Sequence, residues 1–275
     1  MVMIDSTQGA RVALHELGGD GPLLLIAHAT GFHARAYLPL AAELSDTYRV
    51  VGGDFRGHGD ATSPTDGDFT WTGFGDDVMA FIDHLAPDRP IVAFGHSKGG
   101  AALVIAELAR PGTFSDLYLY EPIIFPPFEG ARPENPLAAS ARRRRETFDS
   151  FDAAITNFAS KPPLSVFAPE ALDAYVRFGF EPLDDNGVRI KCRGEDEAST
   201  YDMSTTSGAF ERLGELALRV TIAASGDGGG PATFAPTIAD RIDGATLVRL
   251  DDLDHFGPFA DPARIAAAVR VAFRG

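Results

Sequence analysis

The strongest constraint on this chain is an alternation. Short, nearly continuous apolar runs recur at residues 23–27 (LLLIA), 48–52 (YRVVG), 91–94 (IVAF), 117–120 (LYLY), 219–224 (RVTIAA) and 246–250 (TLVRL). Strands that are apolar on both faces belong to a parallel sheet covered by helices above and below. Amphipathic stretches separate the runs. Between Phe74 and Leu85, apolar residues fall at Phe74, Val78, Phe81, Ile82 and Leu85, the stripe of a helix packed on a sheet. Residues 101–108 are apolar almost all round, as expected of a deeply buried helix. A last helix opens with Asp261-Pro262, an N-cap and first-turn pair, and continues through Ile265, Val269 and Phe273. Strand and helix in series predict an α/β fold with right-handed crossovers.

The alternation stops after Tyr120 and resumes at Arg219. Residues 122–216 hold helical stretches and many prolines but no strand series. The predicted organisation is one core, residues 1–121 and 217–275, split by a helical insertion at 122–216. The run Arg142 to Arg145 inside it reads as a solvated helix face beside Glu146, with an anion site as the alternative.

Composition narrows the partners. The 275 residues include 24 basic and 39 acidic side chains, a formal charge of −15. Such a surface repels phosphate backbones and argues against nucleic acid. A single cysteine, Cys192, excludes an internal disulfide and a Cys-rich metal site. The N-terminus lacks a secretory pattern, and no apolar run approaches the roughly 20 residues of a membrane span. The expectation is a soluble, cytoplasmic protein acting on a small molecule, without nucleic-acid or membrane partners. Residues 226–230 are glycine-rich but lack the spacing of a phosphate-binding loop, and no zinc motif occurs, so neither cofactor nor metal is expected.

Chemistry concentrates at Gly95-His96-Ser97-Lys98-Gly99-Gly100, a G-x-S-x-G match. A strand precedes it and a helix follows, the context in which a serine sits exposed on a tight turn. The next backbone N–H, of Lys98, opens the helix and can donate to an oxyanion. A serine hydroxyl needs a base. Of seven histidines, His255 is the best candidate. It lies in LDDLDHFGPF, after the last strand and before the last helix, in the chain order that such a serine requires.

Four segments, LLLIAHATGF, VVGGDFRGHGDAT, GHSKGG and LDHFGPF, resemble those of α/β-hydrolase-fold enzymes, and the similarity extends over nearly the whole chain. The resemblance implies a mostly parallel central sheet flanked by helices, an inserted cap, and a nucleophile, base, acid and two-amide oxyanion hole. Counted from His28, with Ala29 where the family has glycine, the second oxyanion donor is the N–H of Thr30, with Phe32 a weaker candidate. His28 would buttress that loop. Asp54, Arg56 and His58 fall in a turn motif and read as structural.

The acid is less regular. After the strand at 219–224, Gly229 stands at the family's acid position, and Asp227 lies two residues before it on a glycine-rich loop. After the strand at 117–120 comes Glu121, where a buried carboxylate would need a partner such as His255. Glu121 is the preferred acid and Asp227 the alternative, while the side chain of Asp254 is expected to point away. Serine rather than aspartate at the nucleophile position implies acyl transfer. The expected function is hydrolysis of an ester, lactone or related acyl bond of a small, moderately apolar molecule. A C–C bond hydrolase, a haloperoxidase or perhydrolase, an acyltransferase and a non-catalytic binding protein are the alternatives. In the insertion, Phe125, Phe128, Phe148, Phe151, Phe158, Phe167, Tyr175, Phe178 and Phe180 are expected to build the cap's core, with a few lining a pocket. Trp71 could pack on either part.

Overall fold

Strands in chain order are β1 (Val2–Asp5), β2 (Arg11–Gly18), β3 (Leu23–Ala27), β4 (Arg49–Asp54), β5 (Ile91–His96), β6 (Phe114–Tyr120), β7 (Thr147–Phe148), β8 (Phe180–Pro182), β9 (Val188–Ile190), β10 (Arg219–Ser225) and β11 (Thr246–Leu250). The computed structural model describes residues 1–126, 135–184, 186–204, 207–226 and 229–274. Eight strands form one sheet in the order β1-β2-β4-β3-β5-β6-β10-β11. The first two pairings, β1 with β2 and β2 with β4, are antiparallel, and all later ones are parallel. Each apolar run read from the sequence is a strand. The opening hairpin was not legible, because β2 carries a polar pair, His15-Glu16, in its middle.

Helices α1 (Leu38–Leu44), α2 (Trp71–Leu85), α3 (Lys98–Ala109), α4 (Pro136–Arg143), α5 (Phe151–Ala159), α6 (Pro169–Gly179), α7 (Gly194–Asp202), α8 (Ala235–Ala239), α9 (Gly257–Ala260) and α10 (Pro262–Phe273) surround the strands. Side chains alternate across the sheet with period two. Leu25, Val51, Ala93 and Leu117 face α2, α3 and α8, where the stripe Phe74, Val78, Phe81 and Ile82 is buried. Leu24, Ile26, Val50 and Tyr118 face α1 and α10, where Ile265 and Val269 are buried. The α10 cap forms as its sequence predicts: the Arg264 N–H donates to the Asp261 carboxylate at 3.0 Å.

Strands β6 and β10 are direct neighbours, Tyr120 opposite Ala223. The chain between them leaves the sheet and forms α4 to α7. It also forms a second sheet, in the order β7-β9-β8, antiparallel throughout. The segment is therefore not purely helical. Strands of two or three residues are too short for periodicity to reveal. Trp71 is fully buried at the start of α2, and its Nε1–H donates to the Thr200 carbonyl on α7 at 3.0 Å. It thus packs on both parts.

Arg142, Arg143 and Arg145 of the arginine run are exposed, as a solvated face requires, while Arg144 departs from it. Arg142 joins α4 to α7 through Glu195 (3.0 Å) and Asp202 (2.9 Å). Arg144 turns inward, pairing with Glu197 at 2.6 Å and donating to the Cys192 carbonyl. Arg145 lies over the Phe148 ring. Glu146 accepts from the Gly194 N–H at 2.7 Å. Among the described residues, no helix is long and apolar enough to cross a membrane.

Candidate active site

The site lies at the C-terminal edge of the parallel strands, where β5, β6, β10 and β11 end. Ser97 follows β5 directly and adopts φ 55°, ψ −117°, a conformation rarely held by a residue with a side chain. Packing enforces it. A Cβ at Gly99 would lie 2.1 Å from the Ala27 carbonyl oxygen, and one at Gly95 would lie 2.6 Å from Gly100 Cα. Only glycines let α3 approach the sheet this closely. Backbone bonds hold the turn, the Ala101 N–H on the Ser97 carbonyl at 3.4 Å among them. The Ser97 N–H donates to the Tyr120 carbonyl at 2.9 Å, and the Ser97 carbonyl accepts from Gly100 (3.1 Å) and Ile123 (3.2 Å).

Glu121 ends β6 with a left-handed φ of 46°. Its buried carboxylate is fully engaged: Oε1 accepts from the Ser225 N–H at 2.7 Å, and Oε2 accepts from His255 Nδ1–H at 2.6 Å. The structure thus brings Glu121 and His255 together from positions 134 residues apart. Asp227, the alternative acid, lies outside the described residues. Asp254 is turned into its own loop, its carboxylate accepting from the Phe256 N–H at 2.8 Å.

A relay that sequence reasoning missed connects His255 to the loop after β3. The Ala29 N–H donates to Tyr37 Oη at 3.1 Å, and the Tyr37 hydroxyl lies 2.8 Å from His96 Nδ1. His96 Nε2 lies 2.9 Å from the His255 carbonyl. A carbonyl only accepts, so His96 carries its proton on Nε2, and its Nδ1 accepts a hydrogen bond from the Tyr37 hydroxyl. Burial, reinforced by neighbouring His255, holds His96 well below the usual histidine range, which keeps it neutral. The rings of His96 and His255 lie 4.9 Å apart. As the residue before the serine, His96 had no signal beyond its position.

Of the expected oxyanion donors, the Lys98 N–H opens α3, where first-turn amides have no helical acceptor. Thr30 lies buried in the loop after β3. The N–H of Phe32, the weaker candidate, donates to the Ala29 carbonyl at 3.2 Å. His28 buttresses the loop: its Nδ1–H donates to the Ala29 carbonyl at 2.7 Å, and its Nε2 accepts the Phe55 N–H at 3.1 Å. Burial, with the Lys98 charge second, keeps His28 well below its usual range.

Asp54, Arg56 and His58 are structural in position. Arg56 and Asp77 form a fully buried ion pair at 2.8 Å. His15, Asp54 and Asp60 converge closely enough to suggest a cation site. Their oxygens are already engaged: Asp54 holds His15 at 2.9 Å and the Ala34 N–H at 2.7 Å, while Asp60 holds Arg35 at 2.5 Å and Lys191 at 2.6 Å. Aromatic rings from both parts of the chain pack together beside His255 and Phe256. Phe167 stacks on Phe259 at 4.7 Å, and Phe32 stacks on Phe259 at 4.7 Å and tilts against Tyr175 at 5.2 Å. Phe148, Phe158, Tyr175 and Phe180 pack against one another within the segment between β6 and β10. Phe128 lies outside the described residues.

The profile of the alpha/beta hydrolase family matches residues 23–268, and the chain belongs to that family. It is 26% identical to a 2-(acetamidomethylene)succinate hydrolase of Mesorhizobium japonicum over 62% of this chain and 59% of that protein. It is 30% identical to the monoglyceride lipase of Homo sapiens over 44% of this chain and 42% of that enzyme. The aligned parts therefore span less than two thirds of these relatives. Among solved structures, an E-2-(acetamidomethylene)succinate hydrolase superposes with a TM-score of 0.81 at 20% identity, covering 100% of this chain and 99% of that one. An enol-lactonase from Burkholderia xenovorans superposes with a TM-score of 0.73 at 18% identity, covering both chains fully. The fold is thus that of the α/β hydrolases, and the curated relatives include hydrolases.

Proposed function

We propose that the protein is a serine hydrolase that cleaves an ester, lactone or related acyl bond of a small, moderately apolar molecule. The carrying observation is the 2.6 Å hydrogen bond from His255 Nδ1–H to buried Glu121, at the sheet edge where Ser97 occupies its strained turn. In this reading Ser97 attacks the acyl carbon while His255 takes its proton. Glu121 fixes the imidazole tautomer and stabilises the imidazolium that forms. The N–H groups of Lys98 and Thr30 bind the carbonyl oxygen as it becomes an oxyanion. His255 then protonates the leaving group, and water, activated by the same histidine, releases the acyl-enzyme. Residues 122–216 act as a cap over residues 1–121 and 217–275, and the wall of Phe32, Phe167, Phe256 and Phe259 supports an apolar acyl or leaving group.

The substrate class follows the wall rather than the arginine run. Arg144, the arginine that turns inward, is neutralised by Glu197. Expected outcomes are turnover of short p-nitrophenyl esters or lactones and covalent labelling of Ser97 by a fluorophosphonate. Absence of both turnover and labelling across such a panel would refute the reading.

A further inference from the structure

The Tyr37–His96 relay has no part in the chemistry above, yet both of its ends lie on backbone that the chemistry uses. At one end is Ala29. Its N–H donates to Tyr37 Oη at 3.1 Å, and its carbonyl accepts from His28 Nδ1–H at 2.7 Å and from the Phe32 N–H at 3.2 Å. The Ala29 carbonyl and the Thr30 N–H belong to one planar peptide, so whatever holds the first aims the second. This loop is seated on the first turn of α3: a Cβ at Gly99 would lie 2.1 Å from the Ala27 carbonyl oxygen and 2.8 Å from that of His28. At the other end is His255. Its carbonyl accepts from His96 Nε2–H at 2.9 Å. The preceding carbonyl, of Asp254, accepts from the Tyr120 hydroxyl at 2.6 Å and from the Gly257 N–H at 3.0 Å. The peptides on both sides of the His255 Cα are thus pinned, which sets the direction in which its imidazole leaves the backbone towards Glu121.

The relay between these ends admits one arrangement. A backbone N–H closes it at Ala29 and a backbone carbonyl closes it at His255. Every proton therefore points the same way: Ala29 N–H to Tyr37 Oη, Tyr37 O–H to His96 Nδ1, His96 Nε2–H to the His255 carbonyl. The opposite His96 tautomer would set a lone pair against that carbonyl and take the acceptor away from the tyrosine hydroxyl. Tyr37 and His96 are fully buried, and Phe259 packs on both, its ring centroid 4.7 Å and 5.7 Å from theirs. In such an interior each bond strengthens the next, and a broken one is not replaced by solvent.

We infer that Tyr37 and His96 are positioning residues whose hydrogen-bond chain ties the oxyanion loop to the backbone of the base, so that the Thr30 N–H and the His255 imidazole keep one spacing about Ser97, the residue next to His96. The inference rests on the serine-hydrolase reading.

The test measures ester turnover and the rate of fluorophosphonate labelling of Ser97. Tyr37→Phe removes the hydroxyl alone. His96→Gln places an amide nitrogen where Nε2 was, keeping the donor to the His255 carbonyl and losing the acceptor for Tyr37. His96→Asn places an amide oxygen where Nδ1 was, keeping the acceptor and losing the donor. Tyr118→Phe is the control, because the hydroxyl of this buried tyrosine on β6 has no hydrogen-bond partner among the described residues. The expected result is a fall in kcat and in labelling rate of about tenfold to a hundredfold in each of the first three variants, with KM nearly unchanged, and no fall in the control. Tyr37→Phe and His96→Gln break the same bond, so the double variant should be no slower than its slower member. A full kcat in any of the three, with or without a lower melting temperature, overturns the inference and leaves the serine reading intact. So do losses that multiply in the double variant. If the His96 variants do not fold, Tyr37→Phe and its control decide alone. Absence of both turnover and labelling in the natural protein removes the serine reading, and the inference with it.

Discussion

The sheet edge and the intervening segment hold their polar groups by different means. At the edge, backbone geometry places them. Ser97 is fixed by a turn with four main-chain bonds, and Glu121 by its own N–H on Ala223 and by the Ser225 N–H on its carboxylate. In residues 135–216, side chains do the holding, through Arg142 to Glu195 and Asp202, Arg144 to Glu197, and Arg193 to Glu146. Main-chain placement is stiff and suits a group that must stay aligned to a fraction of an ångström. Pairs of long flexible side chains suit a segment that can vary while the edge stays constant. The comparison teaches that the sheet edge is held chiefly by main-chain bonds and the intervening segment chiefly by side-chain ion pairs.

Substitutions can break or sharpen that contrast. The largest effect is expected at the edge: Ser97→Ala should lower ester turnover by roughly 10⁶-fold and abolish fluorophosphonate labelling, while leaving thermal unfolding nearly unchanged. Glu121→Gln should lower kcat by about 10⁴-fold, because an amide presents the wrong partner to His255 Nδ1–H. Near-normal kcat in that variant, with collapse in Asp227→Asn, would move the acid to the loop after β10.

Next comes the intervening segment. Arg144→Met strips the cation from Glu197, whose carboxyl burial already pushes up, and should cost about 3–5 kcal/mol in stability. Pairing it with Glu197→Gln should recover most of that loss, and a double-mutant cycle by chemical denaturation measures the coupling. If Arg144→Met instead abolished turnover without affecting stability, the pair would not be holding the segment and the contrast would fail.

Lys98 ties stability to pH at the edge itself. Its folded-state value, about 7, lies below the usual 10.5. Between those limits the unfolded chain binds more protons, so stability should rise as pH increases from 7 to about 10. Below pH 7 the buried charge exacts its full cost. Lys98→Met should therefore raise stability at low pH by a few kcal/mol at most, seen as a higher melting temperature. A melting temperature that does not change with the methionine at pH 6 would contradict this. The smallest effect is expected at Arg142, whose pairs are exposed: Arg142→Ala should change stability by about 1 kcal/mol or less.

Much of this was legible before the structure. Apolar runs of four to six residues announced every parallel strand, since a strand buried on both faces must be apolar throughout. Ser97 was legible because its turn needs glycines at fixed offsets, and His255 because its place in the chain follows from the fold. Glu121 was legible for a physical reason as well, as a carboxylate at the end of a buried strand. The hairpin of β1 and β2 and the short strands β7 to β9 were not, being polar in the middle or too short to show a period. Nor was the inward turn of Arg144, which looks the same in sequence whether it faces water or Glu197.

What the sequence determined by itself is therefore local: the strands, the capped helices, the glycines that demand a close approach, and the residue types able to carry acyl chemistry. Those properties depend on neighbours within a turn or two. What only the tertiary structure decided is which distant groups share a partner. The Glu121–His255 bond, the Tyr37–His96 relay to the His255 carbonyl, and the burial of Lys98 between Phe55 and Phe74 join groups that are far apart along the chain. Charge state and hydrogen bonding in an interior depend on everything packed around a group, and that packing exists only after folding.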